Sequence, residues 1–246
     1  MTTGIVTTSE VLAKHLGWMR SGTRRFLELA DTLTGTDPRL PSGLPGWTRA
    51  HVLAHTAQNA DALINLLTWA RTGVPTPMYA SPEVRGTAIE AAVDHPMPKL
   101  LAELRASAER LDTAVGSMPE ASWAARVLTA QGRSVPAADV PWMRVREVWL
   151  HAIDLLAGSG FEAVPAELAV ALVRDIARTI GAKNRGAGFV VAVEAEGTRI
   201  DIPVDQEPAE QTVRGTAIDL LAWLSGRDTS VPLFTNGDLP TLPKWL

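Results

Sequence analysis

The hydrophobic period changes once along this chain, near residue 160, and that change limits the folds open to it. Before it, apolar residues recur at helical spacing. After it, two runs alternate with a period of two. A sequence that switches period in this way specifies a helical part followed by a mixed part.

In the first part, the stretch "TSEVLAKHLGWMRSGTRRFLELADTLT" (residues 8–34) puts Val11, Leu12, His15, Leu16, Met19, Phe26, Leu27 and Leu33 on one broad helical face. "GTDPRLPSGLPG" then stops the helix. Thr48 is an N-cap candidate for a second helix running to about Arg71, and "TGVPTPMYASPEV" is the loop that follows. A third helical region spans about Glu83 to Met118, broken by two prolines in "DHPMPK". Residues 119–141 read as irregular, with a small hairpin around "TAQGRS". A fourth helix starts after Pro141 and runs to about Ala157, ended by "GSG". Four long helices joined by loops predict a four-helix bundle.

In the second part, "PAELAVALVRDIARTIGAK" predicts a helix. Phe189, Val191 and Val193, then Ile200, Ile202 and Val204, alternate on either side of Glu196-Gly197 and predict a hairpin. "GTAIDLLAWLSGR" predicts a further helix, with Thr216 and Asp219 spaced as a capping box and Gly226 at its end. "VPLFTNG" is a candidate closing strand. The expected fold class is therefore α+β, with a bundle over 1–160 and a small α+β domain over 161–246.

Composition excludes several functions. Hydrophobic residues make up 46% of the 246, enough for a sizeable core. The net charge is -4 and no basic run is present, which argues against nucleic acid as a partner. The opening lacks the pattern of a signal peptide, and no window reaches the roughly 18 to 20 apolar residues of a membrane span. The expectation is a cytoplasmic monomer without membrane partners. The absence of cysteine excludes disulfides, thiolate metal sites and a cysteine nucleophile. Any thiol chemistry would need a thiol from outside the chain.

The histidines carry the remaining signal; there are five. In "RVREVWLHAIDLL" (144–156), Glu147, His151 and Asp154 fall on one side of a helix among apolar residues. That stripe reads either as a solvated face with a Glu–His pair or as a metal-binding pair aimed into the bundle. On the second helix, at about 100° per residue, Val52, Thr56, Asn59, Leu63 and Leu66 define the core face. His55 flanks this face and His51 lies nearer the polar side. An inward His55 together with Glu147 and His151 would give two imidazoles and a carboxylate, donors suited to zinc or a neighbouring divalent ion. Three protein donors leave a fourth position open, as in reactive zinc sites. His51 with His55 has the spacing of a metalloprotease helix but not its glutamate, since Val52, Leu53 and Ala54 lie between. His15 reads as a core or interhelical histidine and His95 as an exposed one.

The blocks "LPGWTRAHVLAHTAQNADAL", "YASPEVRGTAIE", "REVWLHAIDL" and "NGDLPTLPKWL" closely resemble the mycothiol-dependent maleylpyruvate isomerases over essentially the whole chain. The first block is shared with many DinB-like bundles, whereas the Glu-His-Asp block with the C-terminal half is more specific. The resemblance implies a DinB-like four-helix bundle with zinc held by His55, Glu147 and His151. It implies active-site roles for Asp154, for Arg85 and, from the C-terminal domain, for Arg227. It implies mycothiol as the thiol and isomerisation of maleylpyruvate to fumarylpyruvate, a step of gentisate degradation, as the reaction. A thiolate adds to the alkene, the resulting single bond rotates, and the thiolate leaves. Two other functions use the same triad: a mycothiol S-transferase acting on electrophiles, and a non-catalytic metal-containing binding protein.

Overall fold

The computed structural model describes residues 8–183, 189–195, 198–204, 211–229 and 231–242. It divides into two compact units, Met1–Gly158 and Ser159–Leu246.

The first unit is built from helices α1 (Thr8–Thr32), α2 (Arg49–Thr72), α3 (Pro82–Val93), α4 (Met97–Gly116) and α5 (Val140–Asp154). Helices α1, α2, α4 and α5 form the bundle, with α1 packed on α5 and α2 packed on both α4 and α5; α3 lies against α2. The break between α3 and α4 falls at the predicted prolines. There His95 is half-buried rather than fully exposed, lying between the end of α3 and the start of α4, and its Nε2 is 3.0 Å from Lys99 Nζ. The predicted small hairpin is present as β1 (Arg126–Leu128) and β2 (Ser134–Pro136).

On α1 the buried stripe is Met19, Gly22, Phe26 and Ala30, continued by Leu33 just past its end, while Val11 stays 39% exposed near the start of the helix. Gly22 is there for proximity. A Cβ at this position would lie 2.4 Å from Trp149 Nε1 and 2.7 Å from Val148 Cγ2, so only glycine lets α1 approach α5 this closely. The Trp149 indole N–H donates to Trp18 O at 3.0 Å across the same contact. His15 joins this seam, its ring 4.9 Å from that of Trp142.

Helix α2 begins as predicted with Thr48 as N-cap. A cap of this kind is worth about 1 kcal/mol. The helix is buried on nearly every side rather than along one stripe, which makes it the central element of the bundle. Helix α5 stops at Asp154, short of the predicted end near Ala157. Its last carbonyls do not wait for a glycine cap. Gly43 N–H donates to Asp154 O at 2.8 Å, and Arg49 donates to Leu155 O at 2.9 Å and to Leu156 O at 3.0 Å. Leu156 takes a positive φ of 51° to complete the turn. The loop before α2 is thereby tied to the end of α5.

In the second unit α6 (Ala166–Lys183) and α7 (Ala217–Leu224) pack together against a sheet of β3 (Phe189–Ala195), β4 (Thr198–Pro203), β5 (Gln211–Gly215) and β6 (Phe234–Thr235). The strand order is β4-β3-β5-β6, with β3 and β5 parallel and the outer pairs antiparallel. Val191, Val193 and Val213 on the sheet, and Leu168, Leu172, Ile176 and Leu220 on the helices, are fully buried. The turn at Glu196-Gly197 lies outside the described residues. Strand β5 has no counterpart in the sequence reading. Thr216 caps α7, accepting from Asp219 N–H at 3.2 Å while its hydroxyl donates to the Asp219 carboxylate at 2.6 Å. No helix among the described residues is long and apolar enough to cross a membrane.

Candidate metal centre

Helices α2 and α5 bring the predicted triad together. His55 Nε2 lies 2.8 Å from Glu147 Oε2, and His151 Nε2 lies 3.3 Å from the same oxygen. Nitrogen and oxygen donors of the three residues lie within 4.8 Å of one another, a grouping that could hold a metal ion. The two imidazoles stand edge to face, with centroids 5.0 Å apart. Both histidines are 5% exposed, while the Glu147 side chain keeps 20% of its surface open. The donor chemistry fits a divalent ion of the zinc type: two imidazoles and one carboxylate, three donors where such an ion takes four.

Asp154, 1% exposed, places Oδ2 at 2.8 Å from His151 Nδ1. An ionised carboxylate only accepts, so Nδ1 carries the ring proton, which leaves Nε2 directed at the cluster. Gly43 packs directly on this carboxylate. A Cβ on Gly43 would stand 3.1 Å from Asp154 Cα and 3.2 Å from Oδ1.

The charges follow from burial and these contacts. Burial lowers the pKa of His55, and Glu147 offsets this only in part. Burial opposes the charged form of His151 too. Its bonds to Asp154 and Glu147 outweigh that effect and push it up to about 9. Burial likewise acts against the Glu147 charge, but the two histidines hold its carboxyl well below the usual range. At neutral pH the metal-free cluster is therefore a carboxylate between one neutral and one protonated imidazole.

His51 has a different task. Its Nδ1 accepts from Thr48 N–H at 3.0 Å while Thr48 Oγ1 accepts from His51 N–H at 3.4 Å, so it completes a capping box. Its Nε2 faces Glu90 at 3.5 Å. Helical phase alone puts His51 towards the rim of α2. On a helix buried nearly all round, phase alone says less than the cap does.

Arg85, on α3, sets NH2 3.3 Å from His55 Nδ1. A guanidinium only donates, so in the metal-free cluster Nδ1 accepts and His55 Nε2–H donates to Glu147; a metal at Nε2 requires that proton to move to Nδ1 and displaces the Arg85 contact. Arg227 lies in the second unit, just after the positive-φ Gly226 that ends α7, with its N–H donating to Ala222 O at 2.9 Å.

Three residues around the triad had not been singled out in the sequence. Trp47 lays its indole 5.5 Å from the His55 ring and 5.7 Å from that of His51. Tyr79 lies under the Arg85 guanidinium, 5.6 Å from Cζ to the ring centroid. Arg144, 1% exposed, precedes Glu147 by one turn and donates to Thr56 O at 2.7 Å and to Asn59 Oδ1 at 2.9 Å. Burial lowers the Arg144 pKa to about 10, which leaves it a cation at neutral pH.

Fold and site together define a class: a helical bundle with a buried His/Glu/His cluster fit for a divalent metal, followed by a small α+β unit. The chain belongs to the mycothiol maleylpyruvate isomerase family, since the model of that family's N-terminal domain matches residues 19–156. It is similar to the crystal structure of the mycothiol-dependent maleylpyruvate isomerase, with 36% identity and a TM-score of 0.87 over 94% of this chain and 96% of that one. A structure of a histidine-to-alanine mutant of the mycothiol-dependent maleylpyruvate isomerase matches over the same extents at 35% identity. No curated sequence matches the chain.

Proposed function

We propose that this chain isomerises maleylpyruvate to fumarylpyruvate with mycothiol as co-reactant, at a zinc site formed by His55, Glu147 and His151. The observation that carries the reading is the convergence of this triad inside the bundle of a chain so similar to the solved isomerase. Zinc bound there supplies a position at which a thiol loses its proton at neutral pH.

The chain's own residues do the rest. His55, Glu147 and His151 hold the ion, and Asp154 keeps His151 Nε2 bare for it. Trp47 gives the site an apolar wall beside His55. Arg85 binds a substrate carboxylate, for which the guanidinium fork is suited, and Arg227 takes the active-site role that the resemblance to the isomerases implies for it. The substrate's alkene takes up the sulfur and its electron pair moves to the conjugated carbonyl oxygen. The former double bond then turns as a single bond, and return of the pair expels the sulfur. Nothing is oxidised or reduced.

Ultraviolet detection of maleylpyruvate conversion tests this reading. Turnover should require mycothiol and should be lost in Arg227→Ala with the metal content unchanged. Conversion at the same rate without a thiol would refute the mechanism.

A further inference from the structure

Tyr79 is the only tyrosine of the chain, and it sits in the loop between α2 and α3. The loop is pinned just ahead of it. Asn65 Nδ2 on α2 donates to Pro77 O at 3.2 Å and to Met78 O at 3.3 Å. A side chain attached to a fixed backbone is a suitable carrier for a group that must meet a reacting atom.

Its neighbours form a line into the metal centre. The Arg85 guanidinium lies 5.6 Å from the Tyr79 ring centroid, and the same guanidinium reaches His55 Nδ1 at 3.3 Å. The phenol also feels the charges of Glu147 and Arg144. Burial raises its pKa and keeps it protonated at neutral pH. Any hydrogen bond between Arg85 and the phenol runs from the guanidinium to the oxygen, because arginine has no acceptor. The phenol's own proton is then left to donate elsewhere.

The isomerisation needs such a donor. When sulfur adds to the alkene, negative charge develops on the conjugated carbonyl oxygen. A buried site lowers the barrier by having donors already aimed at that oxygen. We propose that Tyr79 is a catalytic residue whose O–H, together with an Arg85 N–H, donates to this enolate oxygen. The proton stays on the phenol throughout. The electron pair returns from the oxygen to the carbon framework as the carbon–sulfur bond breaks. This role rests on the isomerase reading above and adds a residue to it.

Two variants and one spectroscopic probe test the role. Loss of one such donor typically costs about 10²-fold or more in kcat. Tyr79→Phe should therefore lose about 10²-fold in kcat with zinc content and KM nearly unchanged. Tyr79→Ala should lose no less. If the ring only supported Arg85, Tyr79→Phe would turn over like the wild type while Tyr79→Ala failed, and the role would be overturned. The single tyrosine also allows 3-fluorotyrosine to report one ¹⁹F signal in the zinc-loaded protein. A 2,4-diketo acid, which carries an enolate without the reactive alkene, should shift that signal saturably. An unmoved signal at calorimetrically confirmed saturation would overturn the role as well. A wild type that cannot convert maleylpyruvate removes this role and the isomerase reading together. A wild type that converts it beside an equally fast Tyr79→Phe removes this role alone.

Discussion

Asp154→Asn isolates the contribution of one buried hydrogen bond to the metal centre. The carboxylate accepts from His151 Nδ1 at 2.8 Å, and the two residues are 1% and 5% exposed, so solvent cannot replace the bond. A hydrogen bond to a charged group contributes about 1.5–3 kcal/mol and a neutral one about 1. Asparagine can still accept from Nδ1–H, so the tautomer survives while the charge is lost. The expected loss of zinc affinity is therefore about 1–2 kcal/mol, roughly five- to thirty-fold, which overlaps the lower end of the roughly 10- to 100-fold range found for partners of metal-bound histidines. Competition with a chromophoric chelator at pH 7.5 measures it directly. The same substitution should bring the His151 pKa down from about 9, because the bond to Asp154 is a leading cause of its rise. Unchanged affinity together with an unchanged His151 titration would refute the claim that Asp154 acts through His151.

Further predictions follow from the same geometry. His55→Ala should abolish zinc binding, whereas His51→Ala should keep it and lose about 1 kcal/mol of stability through the capping box; zinc loss in the second and not the first would invert the assignment. The raised pKa of His151 means that its proton must leave when metal binds, so affinity should rise with pH up to about 9. Calorimetry at pH 7.5 in buffers of different ionisation enthalpy should find about one proton released per zinc, and none would contradict the charge state described above. Gly43→Ala should weaken zinc binding while leaving α2 and α5 helical by circular dichroism, because its Cβ would press on Asp154 at 3.1–3.2 Å. Wild-type affinity in that variant would show that the loop yields without disturbing the carboxylate.

Much of this architecture was legible in the sequence because it is written in local signals. Thr48, the prolines of "DHPMPK" and the helical spacing of Met19, Phe26 and Leu33 each act within a turn or two of chain. The end of α5 was not legible, because its closing donors, Gly43 and Arg49, come from a segment more than a hundred residues earlier in the chain. Strand β5 was missed for a related reason. Five residues, "QTVRG", carry too little alternation to read as a strand, and they pair because β3 and β6 flank them. The triad was visible because Glu147, His151 and Asp154 share one helix and His55 stands on another that is rich in apolar residues. The choice of His55 over His51 rested on helical phase, yet the clearer reason lies in Thr48, which occupies His51 as a cap. Trp47 and Tyr79 sit in loops and Arg144 hides among apolar neighbours, so only tertiary contacts bring them to the centre.

The measurement that bears most directly on the account is zinc reconstitution of the metal-stripped protein in the presence of mycothiol, followed by maleylpyruvate conversion. Turnover should be absent at the start and should grow in proportion to added zinc until one equivalent per chain, then level off. Omitting mycothiol at full zinc should return the rate to the uncatalysed background. Full turnover by the stripped protein, or a rate indifferent to the thiol, would contradict a thiol-dependent reaction at the His55–Glu147–His151 centre.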